Sequence, residues 1–151
     1  MTIITIQVTS TPVQAALDEL NRRCAHLQPV FSEIGEVIFN HVVDCFKQEK
    51  SPDGINWAAL SPATLKKRGA NAKKLRDTGS MFRSLGYNAA NDHAEITIGQ
   101  EYAAMMNFGG TKAQFPHLWG DIPARPFFPS QTLPQEWQND VMDVLNSYLA
   151  T

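Results

Sequence analysis

The sequence lacks long apolar runs and familiar catalytic motifs, and it holds only two cysteines. No apolar run approaches the roughly 20 residues that a membrane span needs, so we expect no membrane partner. Residues 1–6 lack the basic start and long apolar core of a secretory signal, which favours synthesis in a cytoplasm. No G-x-S-x-G, H-E-x-x-H or P-loop pattern occurs. Four histidines and fifteen acidic residues are tied to no common site, so the sequence predicts no enzyme.

The two cysteines, Cys24 and Cys45, are expected to be free buried thiols. A disulfide stays open as an alternative, because it needs only that their two segments pack together. Each cysteine has a histidine nearby, and His41 and Cys45 would share one helix face, as zinc ligands can. The pairs Cys24-x-His26 and His41-x-x-x-Cys45 match no standard zinc module. We therefore expect core thiols and no metal or other cofactor.

The net charge of −2 hides an uneven distribution. Six cations against Asp77 alone give residues 61–80 a net charge of +5, which leaves −7 for the rest of the chain. This basic segment can be a solvated loop, a docking element for an acidic protein surface such as a neighbouring copy, or a DNA contact. We place DNA last, because no aromatic residue is interleaved with the cations as a stacking platform. The cations are Lys66, Lys67, Arg68, Lys73, Lys74 and Arg76.

Hydrophobic periodicity predicts a strand followed by two long helices. Residues 2–8 alternate β-branched and polar side chains, as a half-buried strand does. A first helix is expected from about Pro12 to the residues before Pro29, and a second from about Val30 to Lys50. The expected core stripes are Val13, Ala16, Leu17, Leu20, Cys24 and Leu27 on the first helix, and Phe31, Ile34, Val37, Ile38, His41, Val42, Cys45 and Phe46 on the second.

Shorter elements are expected in the middle of the chain. Residues 51–54, Ser-Pro-Asp-Gly, have the composition of a turn. Ser61 followed by proline predicts a short helix that ends at about Arg68. Asp77 or Thr78 is placed to cap a further short turn.

The second half of the chain changes to a β pattern and returns to a helix. Alternation over 84–99 predicts a β-hairpin, and a short helix is expected over 102–108. Thr132 and Gln135 match a capping box for a final amphipathic helix. We therefore predict an α+β fold in one domain, residues 1–151, with amphipathic helices packed on a small antiparallel sheet.

A long aromatic and proline-rich loop, residues 111–125, separates the short helix from the final one. Pro123 and Pro126 keep the chain around Arg125 extended. The following residues 126–129 are expected at most as a short piece at a sheet edge. Phe127 is expected in the core, while Phe115, Trp119 and Arg125 are expected to contact a partner.

Four ordered blocks between residues 46 and 128 resemble the phage virion morphogenesis, or tail completion, family of contractile-tailed phages and prophages. They read F-x-x-E-x-S-P-D-G-x-x-W-x-x-L-S-x-x-T from residue 46, L-x-x-T-G-x-M-x-x-S from residue 75, I-G-x-x-Y-A from residue 98 with F-G-G at 108–110, and I-P-A-R-P-F from residue 122. Residues 114–121 depart from the family pattern. The block residues expected to define the fold are Pro52, Asp53, Gly54, Trp57, Leu60, Gly79, Tyr102, Phe108, Gly109, Pro123, Pro126 and Phe127.

The resemblance implies a structural role without catalysis. Proteins of this kind complete or cap the tail, or help to join it to the head, with several copies acting together. The implied partners are further copies in a ring-like homo-oligomer and tail-tube or head-connector proteins, and DNA bound without sequence preference is the alternative. The implied location is the virion, at the tail or the head–tail junction, after assembly in the bacterial cytoplasm.

Overall fold

Six helices and one β-hairpin make up the described part of the chain, residues 11–150 of the computed structural model. The helices are α1 (Thr11–Ala25), α2 (Gln28–Gln48), α3 (Pro62–Arg68), α4 (Ser80–Arg83), α5 (Ala103–Phe108) and α6 (Gln135–Ala150). The strands are β1 (Leu85–Ala89) and β2 (Ala94–Ile98). The predicted α+β class is confirmed, while the strand predicted at residues 2–8 lies outside the described residues.

Helix α2 is the centre of the fold, packing against both α6 and the hairpin. Gly35 allows the close approach of the hairpin, because a Cβ there would lie 2.9 Å from Cδ2 of Tyr87. The helix begins and ends about two residues earlier than expected, and Glu49 terminates it in the left-handed conformation with φ of 56°. Its buried residues are Val30, Ile34, Gly35, Val42, Cys45 and Phe46.

An aromatic cluster around Phe46 forms the core. The ring centroid of Phe46 lies 5.5 Å from Trp57, 5.5 Å from Phe82 and 5.1 Å from Phe127. The indole Nε1 of Trp57 donates a hydrogen bond of 2.7 Å to the carbonyl oxygen of Pro126. Phe127 is fully buried, as its sequence context predicted. The core therefore joins α2 to two segments that are distant from it along the chain.

The hairpin lies where it was predicted. Leu85 pairs with Ile98, and Tyr87 pairs with Ile96, in antiparallel strands. The expectation that residues 126–129 extend along a sheet edge is wrong. The backbone N–H groups of Phe127 and Phe128 donate instead to the side-chain oxygen of an asparagine in α5, so these two donors are not paired with a strand.

Helix α1 forms where expected, but its apolar stripe is not in the core. Val13, Leu17 and Leu20 are exposed, and no residue of the helix is buried. Its C-terminal end is joined to α6, because Nη1 of Arg23 donates to the carbonyl oxygen of Tyr148 at 3.2 Å. Amphipathic spacing shows which face of a helix is apolar and not what covers that face, so the stripe prediction was wrong.

The two cysteines have different environments. Cys45 is buried in the core and free, as predicted, while Cys24 is free but exposed, so its assignment to the core is wrong. Burial raises the pKa of the Cys45 thiol to about 12. Among residues 11–150, no group of three or more His, Cys, Asp or Glu side chains is placed to hold a metal ion.

Helix α6 begins at Gln135, so the predicted capping box is wrong. Gln135 is the first helical residue rather than the third, and the carbonyl oxygen of Pro134 accepts a hydrogen bond from the N–H of Gln138 at 3.0 Å. Trp137 is buried and stacks on the His41 ring at 4.8 Å between centroids. Within the described residues, no helix has the length and apolarity needed to cross a bilayer.

Candidate partner-binding groove

The basic segment and the long loop, both singled out by the sequence, line the same groove. Its volume is about 1110 Å³. One part of the lining comes from residues 59–81 and includes Lys67 and Lys73, and another comes from residues 119–125 and includes Trp119. These segments are far apart along the chain. The fold therefore brings together two elements that the sequence could name only separately.

Helix α3 positions the first cations. The side-chain oxygen of Ser61 accepts a hydrogen bond of 3.2 Å from the N–H of Thr64, and Pro62 occupies the first turn, which needs no N–H donor. The helix ends at Arg68, and the N–H of the following Gly69 donates to the carbonyl oxygen of Leu65 at 2.8 Å. The predicted cap and end of this helix are confirmed, and Lys67 is presented to the groove.

Ion pairs and hydrogen bonds hold the loop that follows α3. Arg68 Nε lies 3.0 Å from Asp77 Oδ1, and its Nη2 donates to the carbonyl oxygen of Lys73 at 2.8 Å. The backbone N–H of Lys74 donates to Glu49 Oε1 at 2.8 Å, and its Nζ lies 3.5 Å from Glu49 Oε2. These contacts close the loop on itself and tie it to the end of α2.

Arg76 fixes the loop from the core side. Its guanidinium carbon lies 5.5 Å from the centroid of the Phe82 ring, within the range of a cation–π contact. Next to it, Leu75 adopts φ of 58° and packs against the core. Leucine rarely adopts a positive φ, so the contacts around Leu75 must stabilise this backbone conformation.

Three of the six predicted cations remain available to a partner. Lys66, Lys67 and Lys73 are exposed and form no ion pair with any residue of the described range. Lys67 and Lys73 line the groove, and Lys66 does not. The basic segment thus divides into cations that build the loop and lysines that face outward.

The long loop contributes an exposed tryptophan to the groove. Trp119 is 87% exposed, whereas Trp57 and Trp137 are 3% and 4% exposed. The loop is closed at its base by paired backbone hydrogen bonds between Gly110 and Ile122, of 2.9 Å and 2.7 Å. Asp121 Oδ1 also accepts from the N–H of Lys112 at 2.8 Å. Trp119 is therefore carried on a loop whose two ends are fixed.

Phe115 lies elsewhere in the same loop. It is partly exposed and does not line the groove. Its ring lies against the backbone of Gly110, where an added Cβ would come within 2.9 Å of Phe115 Cδ2. The structure thus brings Trp119 and the lysines together and leaves Phe115 at the base of the loop.

Arg125 works inside the fold, which differs from its predicted place on the surface. It is 8% exposed, and it borders the groove. Its Nε donates to the carbonyl oxygen of Ala58 and its Nη2 to that of Ala59, both at 2.9 Å. Burial lowers the pKa of Arg125. The proline-arginine block therefore anchors residues 58–59, immediately before the lysine side of the groove.

The other block residues fall into two groups, those that shape the backbone and those that lie at the surface or along a groove. Residues 51–54 form the expected turn, with the N–H of Gly54 donating to Ser51 at 2.9 Å. Gly109 has φ of 70°, and a Cβ there would lie 2.6 Å from the backbone nitrogen of Ala124. Tyr102 and Phe108 are largely exposed, so core packing does not explain them. The remaining blocks place Leu60, Gly79, Tyr102 and Pro123 along the groove and Pro52, Asp53 and Pro126 beside Trp57.

Sequence reasoning missed Asn107, which organises the last block. It is buried in α5, and its Oδ1 accepts hydrogen bonds from the N–H groups of Phe127 at 3.0 Å and Phe128 at 3.1 Å. A single asparagine in a short helix carries no pattern that separates it from a surface residue. Sequence reasoning also missed the position of Trp119 beside the lysines, because that depends on long-range folding.

An exposed tryptophan in a groove is typical of a protein that binds another macromolecule, because tryptophan is enriched among the residues that dominate interface energies. A family model described as the phage virion morphogenesis family matches residues 8–150. The chain belongs to this family, and its role is in phage assembly. Neither the curated proteins nor the solved structures contained a match.

Proposed function

We propose that this protein completes the phage tail or joins it to the head, acting by protein–protein binding in a ring-like homo-oligomer and not by catalysis. The observation that carries the proposal is the groove that Trp119, Lys67 and Lys73 all line. Family membership supports a role in particle assembly, and the groove supplies a surface for it.

The exposure of Trp119 supports a protein partner. Burial of an aromatic side chain is among the largest single gains that an interface can make, about 2–3 kcal/mol by area. This chain buries its other two tryptophans in the core and leaves Trp119 in the groove. The groove volume of about 1110 Å³ leaves room for several side chains of a partner.

The charges of the groove also suit a protein surface. Lys67 and Lys73 supply unpaired positive charge, while Asp121 places a carboxylate in the same lining and Asp77 is already paired with Arg68. A protein partner can pair with groups of both signs, whereas a nucleic-acid backbone can pair only with the cations. The proposed partners are further copies of this chain and the tail-tube or head-connector proteins.

Deletion of the gene from its phage or prophage tests the proposal. After induction, we expect filled heads beside free or aberrant tails in electron micrographs, with normal particles restored by the gene in trans. Complementation with Trp119→Ala or with Lys67→Glu plus Lys73→Glu should fail, while Lys47→Glu, an exposed charge outside the groove, should succeed. Normal infectious virions after deletion would overturn the proposed function.

DNA binding is the second candidate, and one observation favours it. The fold places Trp119 in the groove with Lys67 and Lys73, which creates the aromatic-plus-cation arrangement that the order of residues along the chain lacks. A salt-titrated gel-shift assay tests it. Binding that disappears at moderate salt and ignores sequence would indicate only a general attraction to phosphates.

A further inference from the structure

Helix α6 carries a surface that complements the groove. It contains Glu136, Asp140 and Asp143 and no lysine or arginine, which gives it a charge of −3. Asp140 is engaged with His41, whose Nε2 lies 2.7 Å from Asp140 Oδ2. Glu136 and Asp143 are exposed and have no ion-pair partner within residues 11–150. Two carboxylates on this helix are therefore free for an external contact.

The exposed face of α6 has an acidic edge and an apolar edge. Residues seven apart on a helix lie within about 20° of each other and about 10 Å apart along the axis. Glu136 and Asp143 therefore align along one edge, and Met142 and Leu149, which are also exposed, align along the other. The groove has the matching pair of features, with lysines from one segment and Trp119 from another.

We propose that the exposed face of α6 from a second copy of this chain occupies the groove. Glu136 and Asp143 then pair with Lys67 and Lys73, and Met142 packs against Trp119. This inference rests on the proposed function, because it specifies how the copies of the assembly contact one another.

The proposal implies head-to-tail association. No residue of α6 lines the groove, so the two surfaces belong to different parts of one described chain. A contact between two different surfaces leaves one of each unused at the ends of any chain of copies, and the assembly closes when the rotation between neighbours completes a circle. A closed ring is the form of this contact that the proposed function uses, and a two-fold dimer in which each groove holds the other copy's α6 is its smallest closed member.

The other helices fit the groove less well. Helix α1 exposes apolar side chains, but it carries no net charge, because Arg22 and Arg23 balance its two acids and hold Glu19 at 2.6 Å and 2.9 Å. Asp18 is its one exposed acid without an ion pair in the described range. Helix α2 has exposed acids at Glu33 and Glu36, but none of its large apolar residues is exposed. Among the described helices, α6 alone combines two exposed carboxylates that form no ion pair with exposed large apolar side chains and a net negative charge.

Charge exchange tests the contact in the full-length protein. Glu136→Lys plus Asp143→Lys, or Lys67→Glu plus Lys73→Glu, should each weaken self-association by about tenfold or more, because like charges then face each other. Sedimentation of concentrated protein measures this. A mixture of the two double variants should recover association, since each reversed surface meets an opposite one. Failure of the mixture to recover, with both variants folded by circular dichroism, would overturn the proposal.

Zero-length cross-linking with a carbodiimide supplies a second measurement on the unmodified protein. We expect amide links from Lys67 or Lys73 to Glu136 or Asp143, and a mixture of ¹⁵N-labelled and unlabelled chains shows that they join two molecules. Links from the groove lysines to other acidic residues alone, or no links, would contradict α6 as the occupant. Neither measurement uses a phage readout, so failure here is distinguishable from failure of the deletion experiment.

Discussion

The side-chain oxygen of Asn107 lies 3.0 Å from the backbone nitrogen of Phe127 and accepts its hydrogen bond. The same oxygen accepts from Phe128 at 3.1 Å. A short helix thereby holds the chain that carries a fully buried phenylalanine, and the preceding Arg125 is fixed to Ala58 and Ala59. The alignment of the groove depends on these few buried polar contacts.

Replacement of Asn107 tests this dependence. Asn107→Ala leaves two backbone N–H groups without their acceptor, so we expect the free energy of unfolding to fall by about 2–4 kcal/mol. Urea denaturation followed by circular dichroism measures the change. The control Asn71→Ala, at an exposed loop position, should stay within about 0.5 kcal/mol of the parent. Equal effects of the two changes would contradict this role for Asn107.

Arg125 should not tolerate lysine. The guanidinium donates to two carbonyl oxygens at once, and an ammonium group has neither the reach nor the planar fork to do so. We expect Arg125→Lys to lower the free energy of unfolding by about 1–3 kcal/mol. The matched change Arg22→Lys, at an exposed ion pair, should have an effect below about 1 kcal/mol. Chemical denaturation of both variants gives the comparison.

Gly109 should be intolerant of any side chain. At φ of 70°, a Cβ would lie 2.6 Å from the backbone nitrogen of Ala124, and backbone cannot yield as a flexible side chain does. We expect Gly109→Ala to cost about 1–3 kcal/mol of stability or more. Gly120→Ala in the long loop meets no atom within 4 Å and should be close to neutral. Thermal unfolding midpoints of the two proteins decide the matter.

Only one cysteine should react with a thiol reagent in the folded protein. Cys24 is exposed, whereas Cys45 is buried and its pKa is raised to about 12. Because this pKa lies above the ordinary thiol value of 9.0, raising the pH to about 9 leaves Cys45 protonated and unreactive. Mass spectrometry should show one label on native protein at both pH 7 and pH 9, and two after denaturation. A second label on native protein at pH 9 would contradict the burial of Cys45.

Trp119 should contribute little to stability but should account for the tryptophan fluorescence that solvent can reach. We expect Trp119→Ala to change the free energy of unfolding by less than about 0.5 kcal/mol, because the side chain is solvent-exposed. The same change should remove most of the fluorescence that iodide can quench. Trp57→Phe provides the contrast, since it loses the 2.7 Å hydrogen bond to Pro126 and should be clearly destabilised. Retention of iodide quenching after Trp119→Ala would be inconsistent with this arrangement.

Patterns within a few neighbouring residues were enough to predict a turn, a helix cap and one helix face. The hairpin around Asn91, the Ser61 cap and the central stripe of α2 all follow from spacing or from one turn of chain. The apolar stripe of α1 was placed in the core wrongly, because coverage depends on packing partners. The Thr132 capping box failed because Pro134 directly precedes the helix.

The groove shows the limit of sequence reasoning more clearly. Lys67 and Trp119 were each assigned to a partner-binding loop, but nothing along the chain indicates that they face one cavity. Arginine is common at protein interfaces, but Arg125 is buried in this fold, where its guanidinium donates hydrogen bonds to two backbone carbonyl oxygens. Long-range contacts decide both outcomes.

The bridge between Gly110 and Ile122 has an evolutionary consequence. It fixes both ends of the segment that carries Trp119, so residues can be inserted, deleted or exchanged between them while the core around Phe46 keeps its packing. Under the proposed function, divergence in this segment changes which assembly component the loop contacts at little cost in folding stability.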